Sequence, residues 1–300
     1  MNWPEIKVTD DDRVAVADSF DVTFYLWQSH VPMIRAVEMA LDEYLRLVGP
    51  DALRFHVDAE GDTQPVTPDA LEALRFGLFR SPGRLPNASL LLLSSETELS
   101  RFSVNYVGRE LNDPRWPDLR NFIRFRLPTS FVAEAGLDAL AGFARSLTEF
   151  LPLSFGYASP AIAYENDAGE AVALAPRYPG HDVADPVSVS LALDEQAAGV
   201  YWLSFLGRAL TEKLGGVGGL QSELPPPVSV EPISYGGAAV RVGAEPEVGE
   251  GDARGGFTLY RLLARVLEPH LHMPRGVYFV DADHMPDRDA MIKWHRRFLD

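Results

Sequence analysis

Cysteine is absent from all 300 residues. That excludes disulfides, thiolate nucleophiles and cysteine-ligated zinc or iron–sulfur centres, and a reducing compartment is the expected setting. No apolar run approaches the length of a membrane span, and the opening stretch MNWPEIKVTDDDR has neither a basic nor an apolar leader region. The expected location is therefore the cytoplasm. Positive charge is scarce: 27 Lys and Arg stand against 43 Asp and Glu, a formal charge of -16. Such a surface repels nucleic acid and steers basic partners inward.

Motifs of chemistry are equally scarce. There is no Gly-X-Ser-X-Gly elbow and no His-Glu-X-X-His pair. The glycine-rich stretch LGGVGGLQS (214–222) follows a helical segment and lacks the Lys-Ser/Thr ending of a phosphate loop, so it reads as a helix cap and a flexible connection. Two clusters carry nominal metal ligands. In HVDAEGD (56–62) a strand would place His56, Asp58 and Glu60 on one face, but the run descends into a turn where Asp and Gly serve conformation. His270 and His272 precede Asp281, Asp283 and His284, although His270 falls where a helix ends and imidazole suits the terminal carbonyls. A metal-dependent hydrolase using His56, Asp58, Asp281, Asp283 and His284 is the alternative reading. The preferred expectation is a non-enzyme with no cofactor, no metal and no catalytic residue.

What is present is an ordinary globular composition, 46% hydrophobic and 23% charged, with 23 Pro and 24 Gly to punctuate turns. The pattern predicts an α+β fold: mixed or antiparallel sheets with amphipathic helices packed on one face. Strands are expected at FDVTFYLW (20–27), Leu53–Asp62, ASLLLLSS (88–95), Arg101–Glu110 and NFIRFRLP (121–128), where Arg124 and Arg126 share a side. LSFGYASPAIAYE (153–165) reads as a strand bent or bulged at Gly156 and Ser159-Pro160. VSVSLAL and GVYWLSFLG read as further strands. Apolar spacing predicts helices over Met33–Val48, after Thr67-Pro68, over Leu137–Leu151 and over Phe257–His270. In GGAAV (236–240) the glycines are expected to let strands approach closely.

The loop-rich stretch 166–185 divides the chain into an N-terminal α+β half, 1–165, and a C-terminal half, 186–300, though a single continuous domain is equally compatible. Asn121–Tyr164 and Gly199–Ala244 both read strand, helix, then an aromatic followed by small residues and β structure, so the halves could be related repeats. Acidic runs fall at Asp10–Asp12, at Glu245, Glu247, Glu250 and Asp252, and at Asp281, Asp283, Asp287 and Asp289. The most polar-aromatic loop is PRYPGHDV, with Arg177, Tyr178, His181 and Asp182. Tyr and Arg are favoured at interface hot spots. These four residues and the four acids from Glu245 to Asp252 are the expected partner contacts.

In order along the chain stand LSFGYASPA (153–161), RYPGHDV (177–183), YWLSFLG (201–207), YGGAAVRVGAEPEVGE (235–250), the helix LYRLLARVLEP and a terminal WHRRF (294–298). This set resembles a type VI secretion immunity family first described as a domain of unknown function. Its characterised members protect against nuclease effectors of the VRR-Nuc type. The resemblance implies a non-catalytic antitoxin that binds and occludes a toxin, a basic nuclease, with no direct role for nucleic acid or membrane. An adaptor that loads the same effector without inhibiting it is a further alternative.

Overall fold

The computed structural model describes residues 3–10, 13–80, 85–96, 98–164, 168–248, 250, 256–274, 279–280 and 285–299. Its centre is one long strand, β2 (Arg13–Leu26), which lies antiparallel to β8 (Leu153–Tyr164) along almost its whole length. The other edge of β2 is shared: β7 (Asn121–Leu127) covers Phe20 to Leu26, and β1 (Lys7–Asp10) covers Arg13 to Ala17. From β7 the sheet continues through β6 (Ser103–Gly108), β5 (Ala88–Leu93), β3 (Phe55–Val57) and β4 (Thr63–Pro65). From β8 it continues through β9 (Leu203–Leu206), β11 (Ala238–Arg241) and β10 (Ser229–Pro232). The result is one eleven-stranded antiparallel sheet within an α+β fold, and it runs unbroken from strands of the first 165 residues into strands that follow residue 186.

Alternation along the strands decides what each face carries. Phe20, Val22, Phe24 and Leu26 of β2 point to one face, opposite Phe125 and Ile123 of β7. Helices α1 (His30–Val48) and α4 (Leu137–Leu147) cover this side. Tyr44 of α1 meets Phe125 at 5.0 Å and Phe143 of α4 at 6.0 Å, and its hydroxyl donates to the Arg126 carbonyl at 2.5 Å. Each buried aromatic of this kind contributes about 1.5–3 kcal/mol through area removed from water. Gly49, at φ 103°, ends α1, a conformation only glycine adopts without strain.

Gly156 explains a close approach in the middle of the sheet. It lies between Phe24 on β2 and Phe205 on β9, whose rings meet at 5.3 Å, and a Cβ there would stand 2.4 Å from the Phe24 ring. The bend expected at Gly156 and Ser159-Pro160 does not occur. Pairing with β2 runs through both without a register shift, and the one irregularity lies between Tyr25 and Leu26. Pro160 is tolerated because its carbonyl faces away from β2 and accepts from Asp182 N at 2.8 Å, so the missing N–H would have pointed to that same edge.

Other expectations need correcting. VSVSLAL is not a strand: Asp185 accepts from the backbone of Val187 and Ser188 and caps the short helix α6 (Pro186–Ser190), with Pro186 at its first position. LGGVGGLQS is not a flexible connection, because Gly216–Glu223 forms helix α8 after α7 (Arg208–Lys213). The segment between the halves, read as loop, contains helix α5 (Ala168–Leu174). Thr67 caps α2 (Pro68–Arg75) as expected, accepting from Ala70 N at 3.1 Å. Gly237 does allow close strand approach, since a Cβ there would stand 2.4 Å from the Leu206 carbonyl.

The second face of β2 is polar. Asp21 there is 2% exposed and accepts two parallel hydrogen bonds from Arg126, both at 2.8 Å, while Arg124 stands 3.9 Å away. The two arginines share a side, as their spacing requires. Breaking a buried pair by removing one partner costs about 3–5 kcal/mol because the other charge is stranded. Asp21→Asn should lose stability on that scale in urea denaturation, and adding Arg126→Met should recover most of it. A loss below about 1 kcal/mol in the single variant would mean that water reaches Arg126.

Candidate functional site

The polar row on the second face of β2 leads to the two loops singled out in the sequence. Beyond Ala158 the edge of β8 is not covered by β9, and residues 181–183 take the place of a strand: Asp182 N donates to Pro160 O and Ile162 N donates to Asp182 O, both at 2.8 Å. This draws Asp182 inward, where it is 3% exposed. Tyr157 donates to it at 2.5 Å and Ala184 N at 3.1 Å, and Tyr201 stacks on Tyr157 with ring centroids 3.8 Å apart. His181 is fully buried and neither ring nitrogen has a hydrogen-bond partner. His181 and Asp182 are therefore not surface contacts, contrary to expectation, because backbone pairing to β8 carries them into the core.

Four others of the expected contacts, Arg177, Tyr178, Glu247 and Glu250, lie on two loops that are brought together. Arg177 donates to Glu250 through Nε and Nη2, at 3.0 and 2.8 Å, and Tyr178 donates to the other Glu250 oxygen at 3.0 Å. Gly180 lies under the second loop, where a Cβ would stand 2.0 Å from the Glu247 carbonyl. Glu247 accepts from Phe257 N at 2.8 Å and so serves the start of α9 (Thr258–Leu267). Tyr178 is buried, whereas Arg177, Glu245 and Glu250 remain exposed. Asp252 lies outside the described residues. The terminal WHRRF segment closes this region: Arg297 donates to Pro179 O at 2.7 Å and lies over the Trp294 ring at 4.0 Å.

The nominal metal ligands are differently employed. Asp58 accepts from Glu60 N, Asp62 N and Gln64 Nε2, and these hydrogen bonds, Asp62 first, hold its carboxyl below the usual range. His272 packs against His295 with centroids 6.2 Å apart. Asp281, Asp283 and His284 lie outside the described residues. Among the described residues no group of three or more His, Asp and Glu is disposed to hold a metal ion.

A surface feature escaped the sequence reading. At the end of the sheet where β2 and β9 finish and β8 begins, a cleft of about 790 Å³ is lined by Trp27, Ser154, Glu195, Arg208, Glu212 and Tyr235 among others. Tyr235 sits in the β10–β11 turn at φ 60°, a left-handed conformation that costs a non-glycine residue roughly 1–3 kcal/mol. Its ring is half exposed and its hydroxyl donates to Phe150 O at 3.3 Å. The available signal was an aromatic directly before Gly236-Gly237, where turn geometry favours glycine or asparagine.

The chain falls in the class of type VI secretion immunity proteins. Residues 36–298 match the family model for type VI immunity for VRR-NUC, and the chain belongs to that family. The solved structure of the Pseudomonas aeruginosa T6SS protein PA0821 shares the fold, with a TM-score of 0.77 over 96% of this chain and 83% of that one, at 19% identity. No curated protein matches significantly. No helix among the described residues is long and apolar enough to cross a membrane.

Burial raises the Asp182 carboxyl from 3.8 to about 6 and lowers the His181 imidazole from 6.5 to about 3. Between about pH 4 and 6 the folded chain keeps a proton on Asp182 that the unfolded chain has released, so this residue makes the fold less stable as pH rises. Over much of the same interval the unfolded chain carries a proton on His181 that the folded chain lacks, so that residue acts in the opposite sense. Asp182→Asn removes the first contribution only. Its stability should therefore climb with pH more steeply than the parent's between about pH 4.5 and 6, by up to about 1.4 kcal/mol per unit. Denaturant midpoints across that range test this, and parallel profiles would refute it.

Proposed function

We propose that this immunity protein binds one VRR-Nuc effector stoichiometrically and occludes its DNA-binding or catalytic surface in the cytoplasm of the producing cell, without chemistry of its own. The observation that carries the reading is family membership joined to a formal charge of -16. A nuclease presents positive surface to phosphates. An acidic inhibitor meets that surface quickly through steering, and it has no affinity for the nucleic acid itself. Exposed carboxylates such as Glu245 contribute to this field.

Co-expression with a cognate effector should preserve cell survival and chromosomal DNA, and the two chains should co-purify at equal stoichiometry. The association rate should fall at least about tenfold between low and high salt, while dissociation changes little. Continued DNA loss despite a stable complex would make the chain an adaptor rather than an inhibitor. Failure to form any complex would end the reading.

A further inference from the structure

The long-range field says that a basic partner arrives, but not where it is held. The loop end holding Arg177 and Glu250 is the poorer anchor, because Glu250 already accepts three hydrogen bonds, two from Arg177 and one from the Tyr178 hydroxyl. The opposite end of the sheet differs. Among the described residues, large apolar side chains stand half exposed there at Trp27, Trp116, Leu191 and Tyr235. The segments that carry Trp116 and Leu191 are tied to each other and to the start of β8: Arg120 N donates to Ser190 O, Asp194 N to Asp118 O, and Arg120 bonds both Asp194 and Ser154. Of these side chains, Trp27 and Tyr235 line one cleft, and exposed aromatics that share a concave surface mark an interaction site more than apolar residues scattered singly do.

The cleft between Trp27 and Tyr235 also carries carboxylates. Glu195 and Glu212 line it, and among the described residues each is engaged by a neighbouring surface cation alone, Lys213 and Arg208 respectively. Exposed pairs of that kind contribute little and are readily exchanged. A cation brought by the partner can replace Lys213 or Arg208 beside either carboxylate, while its aliphatic stem lies against the flanking aromatic rings. Tyr235 supplies a second, independent observation. Glycine would sit in its turn without strain, as it does at Gly236, where φ is 79°. A tyrosine held there in a strained conformation and half exposed is what a binding residue looks like.

We propose that the cleft bounded by Trp27 and Tyr235 is the anchor of the toxin interface, receiving an arginine- or lysine-bearing segment of the effector between the two aromatics and against Glu195 and Glu212. This rests on the immunity reading given above. The informative variant is Tyr235→Gly, because it relieves the turn while removing the ring. Purified Tyr235→Gly and Trp27→Ala would be titrated with the cognate effector, with denaturation midpoints measured in parallel. Tyr235→Gly should keep or raise the parent's midpoint while weakening binding at least tenfold, and Trp27→Ala should weaken binding comparably. Binding within about threefold of the parent in both variants, or a lower midpoint in Tyr235→Gly, would overturn the anchor. Should the unsubstituted chain not bind, the functional reading fails and the anchor falls with it; should it bind while both variants bind equally well, only the anchor fails.

Discussion

An ion pair buried in the middle of the sheet holds the rest of the architecture in register. Asp21 and Arg126 are 105 residues apart in sequence, yet they face each other across β2 and β7 with two hydrogen bonds of 2.8 Å. A slip of one residue in that pairing would turn Asp21 toward Tyr44 and Phe125 and send Val22 to the polar side. A buried pair adds little net stability over an apolar replacement, but it penalises every misaligned alternative heavily. Once β2 is aligned, β8 follows along its other edge, and β9, β11 and β10 can then add to β8.

That dependence explains why the second part of the chain cannot be described apart from the first. β9 pairs with four residues of β8, and the remaining edge of β8 is finished by residues 181–183. The polar-aromatic loop is thus a structural seam. Its carboxylate is shared by backbone and tyrosine donors, its histidine is sealed in, and its glycine is pressed against the Glu247 carbonyl. Polarity in such a loop marks a junction in the core, and the surface lies a few residues away at Arg177.

Much of the fold was legible because local physics decided it. The apolar spacing of α1, the Thr67-Pro68 cap and the two-residue spacing of Arg124 and Arg126 all behaved as isolated rules require. Errors arose where tertiary context chose between local options. Ser and Val alternate in VSVS as a strand would, but Asp185-Pro186 starts a helix there, and beyond the left-handed turn at Gly215 the segment Gly216–Glu223 is a helix that packs beside β10. The aromatic cleft was hidden for a different reason. Trp27 and Tyr235 are more than 200 residues apart in the numbering and meet only because β2, β8, β9 and the β10–β11 turn end on the same side of the sheet. Nothing in either local sequence announces the other.

The long interval between Asp21 and Arg126 also has a meaning in time. Ribosomes add about 5–20 residues per second, so the strand carrying Phe20, Val22, Phe24 and Leu26 waits about 5–20 s before its partner strand exists. An apolar strand with unsatisfied edges is an aggregation hazard throughout that delay. A single aspartate set among those residues breaks the run with a charge, as gatekeeper residues do. The carboxylate that later aligns the sheet is also placed where a charge disfavours aggregation of the unfinished strand.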